Sequence, residues 1–255
     1  MPRLRTIACL LLLAAALPAA AEPQLVRLCQ DAEDVYPWTL KARPGLNNIL
    51  LKIVEARLNI VLEISLRPWK RCQEELKAGS IDGMFAISYL AERQQFGRYP
   101  MRAGQPDPAK RLMTDSYSLY RRSGDEQVGW DGSVLRSPGP VGAQRGYSVV
   151  EQLQTLGAGV DTGTYPVEDN LRKLAMGRLA AVALRTQEGD SMLLTHREFN
   201  GKLEKLAPPL AEKPYYLMLS HQFVAHNARL AQRIWDSIEA VRDSVEYRVF
   251  EQTFR

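Results

Sequence analysis

Histidine and cysteine are scarce in this sequence, three of each in 255 residues. The histidines, His196, His221 and His226, all fall late in the chain. The closest pair is five apart, with no carboxylate or cysteine at ligand spacing. A bound metal needs three or four converging donors, so no metal is expected. The motifs that cradle phosphates or present a nucleophile are missing too: there is no Walker A loop, no G-x-G-x-x-G, no G-x-S-x-G and no H-E-x-x-H. On these grounds no cofactor is expected. Charge of one sign never accumulates. Lys and Arg number 33 against 29 Asp and Glu, a net charge of +4. That balance gives no argument for nucleic acid or an anionic membrane as partner. Glycine (17) and proline (15) occur at ordinary frequency, which excludes collagen-like and low-complexity chains.

Long hydrophobic runs are also absent, with one exception. Residues 7–17 are uninterruptedly apolar, preceded by Arg3 and Arg5 and followed by Pro18, Ala19, Ala20 and Ala21. This is the pattern of a secretory signal peptide over residues 1–21, cut between Ala21 and Glu22. The run is shorter than the roughly 20 residues that span a bilayer. Cys9 leaves with this leader, so the mature chain holds two cysteines, Cys29 and Cys72. In an oxidising compartment an even pair reads first as a disulfide, the alternative being two separate buried thiols.

Beyond the leader, apolar residues follow two alternating periods. Residues 25–28 form a short apolar strand and 29–38 a polar, turn-rich segment. Leu46, Ile49, Leu50, Ile53, Val54 and Leu58 have helical spacing, and Ile60, Leu62, Ile64 and Leu66 alternate as in a strand. A helix is predicted over 70–78, stopped by Gly79, and a strand over 81–87. The pattern returns as a strand over 140–143, a helix over 149–156, a short strand at 159–160, a helix from Thr164 to Met176 and a buried strand over 180–184. Residues 215–219 read as extended and 227–250 as one helix. Strands alternating with helices predict an α/β fold with mostly parallel sheets. Two such runs, linked by extended crossovers at 111–122 and 211–220, predict two lobes with a ligand cleft between them. Lobe 1 is assigned 22–118 plus 216–255 and lobe 2 is assigned 119–215. The hinge falls near 117–121 and 213–217.

The most specific stretch is Leu76-Lys77-Ala78-Gly79-Ser80-Ile81-Asp82, followed by Ser88-Tyr89-Leu90-Ala91-Glu92-Arg93 and Phe96-Gly97-Arg98-Tyr99-Pro100. It resembles the family 3 extracytoplasmic solute-binding proteins, the amino-acid-receptor type of periplasmic protein, with their L-x-x-G-x-I-D, S-x-T-x-x-R and F-S-x-P-Y motifs. Trp69-Lys70-Arg71-Cys72 is similar to a W-x-R-C subgroup in which the cysteine is often paired with one after the first strand, the place of Cys29. Gly142 to Ser148, Leu174 to Arg178 and Tyr215-Tyr216 extend the likeness. The resemblance implies a periplasmic binding protein type 2-like fold and a periplasmic, monomeric, non-enzymatic receptor. Such a receptor captures a small polar or anionic ligand and presents it to the permease of an ABC importer or to a sensor protein.

The resemblance also implies a site. Arg93 forks onto a ligand carboxylate, a match of planar donor geometry to planar acceptor. An arginine of that kind reaches into solvent, so its loss is expected to leave stability within about 0.5 kcal/mol. Ser88 and the backbone at Ala86 neighbour it, and Tyr147 and Ser148, following Gly146, supply donors from the other lobe. Tyr36 and Trp38 wall the pocket, while Trp69 and Arg71 offer a stacking face and a cation. Two departures stand out. Leu90 replaces the threonine hydroxyl of S-x-T-x-x-R. Arg185 stands where amino-acid receptors carry the carboxylate that pairs with the ligand's ammonium, unless Glu188 or Asp190 one turn on supplies that acid. An enzyme on the same fold, dehydratase-like, would draw on Glu33, Asp34 or Glu188.

Overall fold

A computed structural model describes residues 22–254, and the leader read at residues 1–21 lies outside them. Strand β1 (Gln24–Asp31) leads to helix α1 (Leu46–Leu58), strand β2 (Ile60–Arg67), helix α2 (Trp69–Ala78) and strand β3 (Gly83–Ser88). β1 pairs in parallel with β2 along its length and with β3 at Leu28 and Cys29. Helix α1 buries Leu46, Leu50, Leu51 and Val54 against this sheet. α2 buries Trp69, Cys72, Gln73 and Leu76, and stops on Gly79 at φ 71°, a left-handed cap that glycine adopts without strain. A disulfide joins Cys29 in β1 to Cys72 in α2, with the Cα atoms 5.7 Å apart. Its sequence separation of 43 closes a loop whose chain entropy is worth about 4 kcal/mol to the folded state.

A hairpin of β4 (Met101–Arg102) and β5 (Gln105–Pro106) precedes the long strand β6 (Met113–Arg122). A second hairpin, β7 (Gly129–Trp130) and β8 (Leu135–Arg136), follows. The β/α alternation then resumes with β9 (Val141–Gly142), α3 (Val149–Thr155), β10 (Val160–Asp161), α4 (Val167–Ala175), β11 (Ala181–Arg185) and α5 (Thr186–Thr195). Strands β12 (Leu203–Lys205) and β13 (Ala211–Leu219) lead to α6 (His221–His226), α7 (Ala228–Arg242) and α8 (Val245–Gln252). No helix among the described residues is long and apolar enough to cross a membrane. Two helices differ from expectation by more than one residue at an end. The helix predicted from Thr164 begins at Val167, after Pro166 at its N-cap in extended conformation. The single helix predicted over 227–250 is broken at Ser244, whose hydroxyl accepts the Tyr247 amide at 3.2 Å and starts α8 afresh.

The main sheet has the order β10-β9-β11-β6-β13-β3-β1-β2, with β12 also against β6. Its outer parts are parallel, while β6 and β13 run antiparallel to their neighbours. β6 pairs with β13 through Met113–Tyr117 against Ala211–Tyr215, then with β11 from Tyr117 to Arg121. β13 continues onto β3 from Tyr215 to Leu219. Both strands therefore change partner at a buried tyrosine, Tyr117 and Tyr215. A smaller core of Tyr120, Leu171, Leu174, Leu179, Val182, Leu184 and Phe199 lies under α4 and beside β11.

One irregularity positions the site. The β13–β3 register slips between Tyr216 and Leu217, so Ala86 falls between the paired residues Phe85 and Ile87 and has no partner of its own. Ala86 takes φ 59°, a left-handed conformation that costs an alanine roughly 1–2 kcal/mol. Bulges of this kind re-aim a backbone group out of the ladder. Here the Ala86 carbonyl accepts a hydrogen bond from Arg185 Nη2 at 3.3 Å.

Candidate functional site

Strand ends and the loops beyond them meet where the two halves of the sheet face each other, as open α/β sheets lead one to expect. From one half come Gln30 and Asp31 at the end of β1, Trp69 at the start of α2, and Ala86 and Ser88 in β3. From the other come Gly146, Tyr147 and Ser148 before α3, and Arg185 at the end of β11. Gly146 sits at φ 80°, and a side chain there would press against Lys70, its Cβ only 2.8 Å from that side chain. That close approach lets the Gly146 carbonyl accept from Trp69 Nε1 at 3.3 Å and from Arg93 Nη2 at 2.8 Å.

Arg93 is 2% exposed. Its Nη1 donates to the Ser88 carbonyl at 2.7 Å and to Ser88 Oγ at 3.1 Å. Together with the bond to Gly146, these make the guanidinium a strut between the halves. Ser88 Oγ also bonds Ser148 Oγ at 2.9 Å, and Tyr99 donates to the Ser88 carbonyl at 2.8 Å. The small stability effect expected of an exposed arginine does not apply to a buried one with these bonds. Lys213 approaches Ser148 Oγ at 3.4 Å, and burial, with the Arg93 charge, pulls its pKa down.

Arg185 is equally buried, at 4% exposure, but differently partnered. Its guanidinium lies over the Tyr215 ring at 4.5 Å and the Tyr147 ring at 5.5 Å. Nη1 is 3.9 Å from Asp115 Oδ2, too far for a hydrogen bond. Neither Nη1 nor Nε has a hydrogen-bond partner among the described residues. Asp31, across the interface, accepts from Tyr147 at 2.7 Å and Tyr165 at 2.5 Å. Burial raises its pKa, opposed by those two hydroxyls, the Glu33 amide and the charge of Arg185. Burial likewise raises Asp115, opposed first by Arg185. Glu188 in α5 is pushed up to about 8 by burial, against the pull of Arg185. Asp31, Trp69, Ala86, Tyr147 and Arg185 enclose a cavity of about 10 Å³, with Gln30, Val35, Thr39 and Phe85 completing its wall. That is room for about one water in this closed arrangement.

Of the residues singled out from sequence, Arg93, Ser88, Ala86, Trp69, Tyr147, Ser148 and Arg185 are brought together. Trp38 is buried and its indole lies against Asp115. Tyr36 turns the other way, donating to the Phe254 carbonyl at 2.6 Å. With Trp38 and α5 it lines a separate pocket of about 440 Å³. Arg71 does not join the site: it pairs with Glu75 at 2.6 Å on the exposed face of α2, 60% accessible. Asp190 accepts from Tyr120 and Lys205 rather than facing the cavity. Glu33 pairs with Lys41 and Asp34 accepts the Lys41 amide. Sequence reasoning missed Asp31, Asp115, Tyr165 and Tyr215. Asp31 had a usable signal, because it closes the first strand at its carboxyl end.

The architecture is that of a type 2 periplasmic binding protein, two α/β halves about a shared pair of strands. No protein-family model and no curated protein matches the sequence. Solved structures do match, and three illustrate the range. The GluR0 ligand-binding core from Nostoc punctiforme, in complex with L-glutamate, is 16% identical, with 90% of this chain and 98% of that one covered at a TM-score of 0.70. The arginine-, lysine-, histidine-binding protein ArtJ from Geobacillus stearothermophilus is 16% identical over 91% and 95% of the chains, TM-score 0.71. A histidine kinase sensor domain with similarity to periplasmic binding proteins is 17% identical over 91% and 96%, TM-score 0.71. At such identities the likeness defines the fold.

Proposed function

We propose that the chain is an exported, periplasmic receptor that closes its two lobes on a small polar or anionic ligand. The observation that carries this reading is the enclosed cavity between the halves, with a buried cation and a buried carboxylate in its wall: Arg185 from one side and Asp31 from the other. Lobe 1 comprises 22–118 with 216–255 and lobe 2 comprises 119–215. Bending of β6 and β13 where they exchange partners opens the cleft. The named ligands of the GluR0 core and ArtJ, amino acids in both cases, support the ligand class. Delivery to an importer permease is the role assigned. The likeness to a sensor domain supports a second reading, in which the closed form is sensed by a signalling protein.

A thermal-shift screen of the mature chain against amino acids, dicarboxylates, polyamines and sugar acids tests the reading. A ligand at 100 times its Kd stabilises by about 2.7 kcal/mol, a midpoint rise of roughly 5–10 °C at about 2–4 °C per kcal/mol. No shift with any compound overturns it.

A further inference from the structure

Resting on that receptor reading, we infer that Arg185, not Arg93, holds the ligand's anionic group, and that the ligand is a small carboxylic acid bearing an amine or hydroxyl donor for Asp31. The two arginines are equally buried and differ in what their nitrogens meet. Both terminal nitrogens of Arg93 are engaged by protein acceptors, the Ser88 and Gly146 carbonyls and the Ser88 hydroxyl. Arg185 keeps Nε and Nη1 without a hydrogen-bond partner among the described residues, and it forms part of the cavity wall. A guanidinium cannot give up its charge, and an unmet buried donor is costly. Nε and Nη1 each share an edge of the guanidinium with Nη2, whose one bond is to Ala86, so an unmet nitrogen together with the second Nη2 hydrogen matches the two oxygens of one carboxylate.

The surroundings favour the same occupant. The Tyr215 and Tyr147 rings flank the guanidinium, which fixes it in place while leaving its in-plane donors available. Asp115, the nearest carboxylate, stays 3.9 Å away. On the opposite wall Asp31 is acceptor-only when ionised and already takes two phenol protons. A carboxylate has about four lone-pair sites, so a further donor finds room there. A cation at one wall and a carboxylate at the other select a molecule with an anionic end and a donor beside it. Because the closed cavity is so small, the halves must part to admit the ligand. Its two polar ends then contact one wall from each half, linking recognition to closure.

Titration calorimetry on the mature chain tests this with four probes, L-alanine, L-glutamate, L-lactate and L-malate, each paired with its carboxamide, and with spermidine and gluconamide as compounds without a carboxylate. The expected result is that at least one acid binds and its amide does not. Arg185→Gln then weakens that acid by about 100-fold, the loss of two hydrogen bonds to a charged group, and erases the acid-over-amide preference. Arg185→Lys, which keeps the charge, retains part of the preference. Arg93→Gln leaves the preference for the acid over its amide intact; circular dichroism checks that each variant is folded. A preference that survives in Arg185→Gln, or is lost in Arg93→Gln, overturns the inference and leaves the receptor reading standing. So does binding of spermidine or gluconamide with none of the acids. Silence from every probe in a protein that also fails the thermal-shift screen overturns both.

Discussion

Arg93, in the turn after β3, and Arg185, at the end of β11, are both lost to solvent. The first is part of a closed hydrogen-bond set: it bridges Ser88 and Gly146, whose carbonyls are also met by Tyr99 and Trp69. The second is held by aromatic faces and one carbonyl, with two nitrogens unmet among the described residues. The difference separates holding a fold together from waiting for a partner. Groups serving stability tend to be satisfied within the chain, whereas a group reserved for a ligand lowers the stability of the empty protein. A motif can place an arginine, but its neighbours decide which kind it is.

This contrast can be broken by measurement. The largest effect is expected from Cys29→Ala with Cys72→Ala, which costs about 4 kcal/mol in urea denaturation. Because the bridge touches neither guanidinium, the gap between Arg93 and Arg185 variants should persist in that background. Arg93→Met is expected to cost about 3 kcal/mol, from its two bonds to the Ser88 and Gly146 carbonyls at roughly 1.5 kcal/mol each for a charged donor. A loss under 1 kcal/mol would erase the distinction. Glu188 gives a pH test of the Arg185 side. Its carboxyl rises from 4.5 to about 8 on folding, so between these values the native state keeps a proton that the unfolded chain has released. Its contribution is fully present below the unfolded value and is lost as pH rises to about 8. Glu188→Gln should flatten that decline, and an unchanged pH profile would show that the carboxyl is not held neutral. The smallest effect is expected from Arg185→Met made together with Asp115→Asn, within about 1 kcal/mol, because removing both members of a poorly matched buried charge pair is often nearly neutral. A cost equal to that of Arg93→Met would make the two arginines equivalent.

Much of this was legible in the residue pattern. The β/α alternation, the glycine stop at Gly79 and the cysteine pair follow from local spacing and composition, whereas the oddity of Arg185 follows from the resemblance to amino-acid receptors. What sequence could not supply was long-range pairing. Nothing local marks Gly146 as the acceptor for Arg93, or Tyr147 and Tyr165 as donors to Asp31, since these contacts span 53, 116 and 134 residues. The misreading of Arg71 was avoidable: Trp69, Cys72, Gln73 and Leu76 define the buried face of α2, and Arg71 with Glu75 at i, i+4 falls on the other. Ala86 was nominated for its backbone, but the bulge that turns its carbonyl to Arg185 depends on how β13 meets β3.

Strands β6 and β13 lie side by side, antiparallel, so residues 118–210 form a single excursion that leaves and rejoins this strand pair where Tyr117 meets Ala211. Closure entropy grows only with the logarithm of such an excursion's length. The far half is thus an insertion whose ends are clamped by the other. Exchanging it for a different half with the same end spacing would leave the disulfide-bonded scaffold and Asp31 in place while replacing Arg185 and its flanking Tyr147. Ligand choice would then change by transplanting one continuous stretch of chain.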